Sequence, residues 1–163
     1  MIILGIDPAL NRTGWGVVEV NNGNVLSYIS SGIIDVSLNK DLGQKIKTLA
    51  AEIKKVIIKY KPSEIALEET FVNKNPATSL KLGHARGAIM VSCLECNDNL
   101  FEYSATLVKK SVSGMGKADK DQVARMVKIL LPKANFNYHD ESDALAVAIT
   151  HSQISKIKRL TNS

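Results

Sequence analysis

Two hydrophobic patterns, short apolar strand-like runs and helical periodicity, alternate along the chain. Residues Ile2 to Asp7 form an unbroken apolar run that closes on a carboxylate, the pattern of a strand buried on both faces, and Pro8 ends it. Two β-rich segments follow, over 13–20 and 25–34. Between them, Asn21-Asn22-Gly23-Asn24 tolerates the positive φ of a hairpin turn. The period then changes. Leu42, Ile46, Leu49, Ile53, Val56, Ile57 and Tyr60 recur at three- and four-residue steps, one face of a long helix that Pro62 stops. Residues 64–69 read as a second buried strand ending in acids, and 100–103 as a short strand. The spacing predicts helices over 76–96, 105–112, 118–131 and 140–158. The order β-β-β-α-β-α-β-α-α-α describes a mixed α/β sheet covered by helices. No repeat, low-complexity tract or linker divides it, so 1–163 is read as one domain, with 151–163 as a basic, partly frayed C-terminal end.

Composition narrows the class. Of 163 residues, 45% are apolar and 23% charged, a globular balance rather than a disordered one. The net charge of +5 points to a polyanionic partner. That charge is concentrated: residues 109–133 hold seven Lys and Arg against two Asp, enough alone to account for the whole excess. No apolar run approaches the ~20 residues of a membrane span. The N-terminus lacks a basic region, and Asp7 interrupts its apolar run, so no secretory signal is expected. Cys93 and Cys96 cannot build a disulfide framework, and without a second pair they do not suggest zinc. The expectation is a cytoplasmic protein with no membrane association.

Three acidic spots have a context that surface carboxylates lack. Asp7 ends one apolar strand, Glu68 lies near the end of another, and Asp140 with Asp143 opens an apolar helix. Ligand sites in α/β sheets gather at the carboxyl ends of strands. If the two strands are parallel neighbours, Asp7 and Glu68 stand about one inter-strand spacing, ~5 Å, apart. Asp140 and Asp143, at i and i+3, share a helix face. Four converging carboxylates repel one another unless cations neutralise them, and hard oxygen ligands suit Mg²⁺. Each acid also has an ordinary reading: Asp140 as an N-cap, Asp143 as a partner of the helix dipole, Asp7 as a turn residue. Glu68 and Glu69 point to opposite faces, so one of them is solvated. Only the conjunction suggests a site.

The motifs around these acids resemble those of the RuvC-type Holliday-junction resolvases, a branch of the RNase H-like nucleases. Gly5-Ile6-Asp7-Pro8 followed by Thr13-Gly14-Trp15-Gly16 looks like the family's opening. Ala66-Leu67-Glu68 with Phe71 matches its second acidic motif, and Ser79-Leu80-Lys81-Leu82-Gly83-His84-Ala85-Arg86-Gly87 its characteristic helix. Asp140-Glu141-Ser142-Asp143-Ala144-Leu145-Ala146 matches its closing D-x-x-D-A-L-A. The matches run in order over nearly the whole chain. The resemblance implies an RNase H-like mixed five-stranded sheet with helices on both faces. It also implies a homodimeric, Mg²⁺-dependent endonuclease that makes symmetric paired nicks in four-way DNA junctions, leaving 5′-phosphate and 3′-hydroxyl ends. Asp7, Glu68, Asp140 and Asp143 become the catalytic carboxylates holding two metal ions, with Mn²⁺ able to substitute. Phe71, Lys109 and Lys120 become DNA contacts, and a RuvA/RuvB branch-migration complex the partner. Two positions depart from the pattern. Ala9 replaces a common Gly, so the turn after Asp7 should avoid positive φ or carry strain. Glu141 adds an acid that should point off the face shared by Asp140 and Asp143.

Other candidates are weaker. Gly114-Met115-Gly116-Lys117 lacks the Gly and Ser/Thr of a phosphate loop, because 111 is Ser and 118 is Ala. His139 could assist proton transfer beside Asp140, whereas His84 and His151 read as helix residues at packing boundaries. An actin-like ATPase opens similarly but needs two such domains. A nuclease acting on RNA precursors and a non-catalytic junction-binding protein remain as alternatives. Four carboxylates near a DNA backbone would weaken binding unless metal sat among them, which counts against the last.

Overall fold

The computed structural model describes residues 1–21, 25–39, 41–69 and 75–161, the side chains of 158–161 excepted. Strands β1 (Ile2–Asp7), β2 (Arg12–Val20) and β3 (Leu26–Asp35) precede helix α1 (Leu42–Tyr60). Then come β4 (Glu64–Glu68), α2 (Pro76–Leu94), β5 (Leu100–Tyr103), α3 (Ala105–Ser113), α4 (Lys120–Leu130) and α5 (His139–Thr161). This is the order the periodicity predicts. The expected turn at 21–24 and Phe71 lie largely or wholly outside the described residues.

The sheet runs β3-β2-β1-β4-β5. The first three strands form an antiparallel meander, while β4 pairs parallel with both β1 and β5. β1 is central and reads apolar on both faces because helices cover both. Ile3, Val18, Ala66 and Tyr103 pack with α3, α4 and α5. Leu4, Ile6, Val17, Ile65 and Leu67 pack with α1 and α2 on the opposite side.

Helix ends follow their capping chemistry. α1 stops where Lys61 turns left-handed (φ 47°) and its N–H reaches the Ile57 carbonyl. Asn75 caps α2, with Pro76 in the first turn, where its missing N–H costs nothing. α4 begins at Lys120 rather than 118 because Asp119 and Gln122 form a reciprocal capping box. α5 begins at His139, one residue before the expected start, so Asp140 lies inside the first turn and not at the cap.

Candidate active site

Parallel pairing sets the first two acids side by side. Ile6 registers with Leu67, so Asp7 and Glu68 follow as neighbours at the carboxyl ends of β1 and β4. Both side chains project to the face that carries α5, since Glu68 alternates with the Ala66 packed there. Glu69 is exposed, and its N–H extends the ladder to the Tyr103 carbonyl. Of the adjacent glutamates, 68 turns inward and 69 to solvent.

Glycines bring the third and fourth acids close. At Gly5, an added Cβ would run into the Ala144 carbonyl and Ala148; at Gly14, into the Asp140 backbone; at Gly16, it would lie 2.7 Å from Leu145. The N-terminal half of α5 therefore lies directly on the backbones of β1 and β2, closer than any side chain permits. Gly14 pairs with Asp7 in the β1–β2 register. The strand residue opposite Asp7 is thus the one that lets Asp140 approach. Sequence reasoning treated these glycines only as motif letters; their signal was their place on inward positions of buried strands.

Asp7, Glu68 and Asp143 line one pocket of about 190 Å³, together with Lys109, Lys120, Val108 and Val123. Asp140 is partly buried beside it and does not line it. Burial and repulsion from Glu68, Asp143 and Asp140 hold the Asp7 carboxyl well above the usual carboxylate range, against the pull of Lys120. Burial, with the charge of Asp143, pushes Glu68 up to about 7, while Lys109 and Lys120 oppose. Asp143 is raised too, chiefly by burial, although the Lys120 ammonium sits 3.2 Å from its Oδ2. Burial disfavours the charged form of Lys120, but Asp143, Asp7 and Asp140 outweigh it and raise its pKa.

Among the described residues, no three Asp, Glu, His or Cys side chains form a ready-made metal site. The donor chemistry nonetheless fits a hard cation. The candidate donors are all carboxylate oxygens, they are crowded enough to hold protons abnormally tightly, and a lysine ammonium stands among them as a surrogate cation.

Ala9 avoids positive φ; among the described non-glycine residues only Lys61 adopts it. The Thr13 hydroxyl pins the turn, donating to the Ala9 carbonyl at 3.0 Å and accepting the Ala9 N–H at 3.2 Å. Glu141 is buried and points away from the pocket. It accepts from the Ser31 hydroxyl at 2.9 Å and from the backbone N–H groups of Asn137 and Tyr138 at 3.0 and 3.2 Å. His139 Nε2 faces Asp121 at 3.3 Å. His151 is fully buried rather than at a boundary: Nδ1 meets the Tyr103 hydroxyl at 2.6 Å and Nε2 meets Glu64 at 2.7 Å. That polar chain was missed because its members lie 48 and 87 residues apart in sequence. Lys109 and Lys120, expected as DNA contacts, both line the carboxylate pocket. Among the described residues no helix is long and apolar enough to cross a membrane.

A family model described as crossover junction endodeoxyribonuclease RuvC matches residues 3–151. A protein of that name from Beijerinckia indica is 48% identical over 154 residues, 94% of this chain and 87% of the relative. The fold superposes on Thermus thermophilus RuvC in complex with Holliday junction substrate, with a TM-score of 0.87 at 28% identity, covering 97% of this chain and 96% of that one. The yeast mitochondrial Holliday junction resolvase shares the fold at 15% identity and a TM-score of 0.72, covering 98% and 81%.

Proposed function

The chain belongs to the RuvC family of crossover junction endodeoxyribonucleases, and on that premise we propose that Asp7, Glu68, Asp140 and Asp143 are the carboxylates with which it resolves four-way (Holliday) DNA junctions. The observation that carries this reading is the pocket in which Asp7, Glu68 and Asp143 face Lys109 and Lys120. Structural ion pairs are usually matched one to one; here buried acids outnumber the cations and keep raised proton affinities.

The family is dependent on a divalent metal. We infer Mg²⁺ as the resident ion, with Mn²⁺ as a substitute, held by the four carboxylates. When bound, a pair of such ions supplies activation of the attacking water and stabilisation of the leaving 3′ oxygen. The protein's part is to hold the carboxylates on rigid strand ends and a helix start, and to bring the scissile phosphate to them. Lys109 and Lys120 are the cations a phosphodiester meets on entering, and they orient it against the acids. Phe71, just beyond β4, is proposed to stack on a base near the crossover. The products would carry 5′-phosphate and 3′-hydroxyl ends.

Two nicks placed symmetrically call for two sites related by a two-fold axis, so we propose a homodimer. One surface fits a second copy. Along α2, Leu80, Val91 and Leu94 are exposed, and the space beside Gly83 and Gly87 is open. We read residues 1–163 as one nuclease domain, working in the cytoplasm with a RuvA/RuvB branch-migration complex.

The test compares a synthetic four-way junction with linear duplex, RNA–DNA hybrid and single strands, in Mg²⁺ and in excess chelator. Symmetric paired nicks confined to the junction, lost on chelation, are expected. Preferential cutting of the hybrid would favour an RNA-directed nuclease instead. Tight junction binding with no cutting in Mg²⁺ would favour a non-catalytic binder.

A further inference from the structure

A groove of about 320 Å³ lies beside the carboxylate site, against another face of α4. α4 turns Lys120 and Val123 toward the catalytic pocket, and Arg125 and Lys128 toward this groove. Phe136 and Tyr138 form the facing wall. That wall is fixed from behind: the Glu141 carboxylate accepts the Asn137 and Tyr138 N–H groups, and the Tyr28 hydroxyl donates to the Asn135 carbonyl at 3.2 Å. Tyr138 is 47% exposed on this anchored backbone, with the Arg12 guanidinium 5.7 Å from its ring centroid. Lys128 stands 5.0 Å over the Phe136 ring. Among the described residues, no carboxylate pairs with Arg125 or Lys128. The groove's own acid, Asp121, faces His139.

Unpaired cations beside an exposed, backbone-anchored aromatic ring suit a nucleic-acid strand: the cations take phosphate and the ring takes a base or sugar face. Resting on the resolvase reading, we propose that this groove is a second DNA subsite, in which Arg125 and Lys128 bind backbone phosphate of a junction arm and Tyr138 stacks on it. From Lys120 to Lys128 α4 rises about 12 Å. At ~3.4 Å per nucleotide along one strand, the subsite lies about three to four nucleotides from the scissile phosphate. Glu141 then has a purpose outside the metal site, since it builds the platform that presents Tyr138.

The experiment measures binding of a fluorescein-labelled four-way junction by anisotropy across a salt series, with Ca²⁺ in place of Mg²⁺. Arg125→Ala/Lys128→Ala should weaken binding and lower the slope of log Kd against log salt by about two. Tyr138→Ala should weaken binding by about tenfold, and Tyr138→Phe should retain wild-type affinity. Lys47→Ala, at an exposed position of α1 across the sheet, should leave affinity and slope unchanged. Wild-type slope and affinity in the double variant would overturn the subsite, as would an equal loss from Lys47→Ala. Equal losses from Tyr138→Phe and Tyr138→Ala would overturn the stacking role. A wild-type protein that binds no junction sinks the resolvase reading and the subsite together; one that binds normally while the double variant does too sinks the subsite alone.

Discussion

Asp7 serves the proposed chemistry at the expense of the fold. Burial and three neighbouring carboxylates oppose its charge, yet only the charged form is a good ligand. Asp7→Asn removes the repulsion and the ligand at once. Cleavage should fall by at least about 100-fold, while junction affinity is retained or rises because phosphate no longer meets that charge. A cleavage time course beside a binding titration checks both, and full-rate cutting would end the metal assignment. Glu68 gives the pH counterpart. In the unfolded chain it titrates near its usual 4.5; in the fold, burial and Asp143 carry it to about 7. Between those values the native state binds more protons than the unfolded one, so stability falls as pH rises from about 4.5 to 7. In chelator, wild type should lose on the order of 1–3 kcal/mol across this window relative to Glu68→Gln, a few degrees in Tm. Mg²⁺ should restore Tm at pH 8 and do little at pH 5, where protons compete for the carboxylates. Thermal unfolding at the two pH values decides it, and an unchanged Tm with Mg²⁺ at pH 8 would count against these acids as ligands.

At the scale of elements, the position of α5 decides whether the acids meet. Gly14→Ala would drive a methyl group into the Asp140 backbone, where no flexible side-chain end can yield. The helix start must shift, costing about 1–3 kcal/mol. Cleavage should fall much further than that loss of stability explains, because Asp140 and Asp143 move together. Denaturant titration and a single-turnover cleavage rate on the same protein separate the two effects; a stability loss with an unchanged rate would show that α5 does not set the site. The element order itself was legible in the chain, because burial on both faces of a strand gives the unbroken apolar run of residues 2–7, and burial of one helix face gives the 3.6-residue period of 42–60. Element ends followed less well where a capping box moved them, as at Asp119. What stayed illegible depended on distant partners. Glu141 looked like a spare acid until Ser31, 110 residues away, supplied its hydrogen bond. Lys120 was legible through the family resemblance as a DNA contact, but its place against Asp143 needed α4 to set it there.

For the whole molecule, the decisive question is how a chain with one carboxylate pocket would make the two coordinated cuts proposed for it. Helix α2 lies on the sheet face opposite α5, so a second copy docked there leaves each carboxylate pocket open to DNA. Its exposed ridge of Leu80, Val91 and Leu94, with room for close approach at Gly83 and Gly87, suits an isologous helix contact about a two-fold axis. Val91→Asp would put a charge from each copy into that contact, where like charges cost several kcal/mol. Each monomer would keep its fold, since Val91 faces solvent in the single chain. The expected outcome is a sedimentation shift from dimer to monomer at micromolar concentration. A junction held in a supercoiled cruciform should then yield nicked circles in place of the linear product of paired cuts. Should Val91→Asp remain dimeric and linearise the cruciform as wild type does, the two-fold contact lies on another surface.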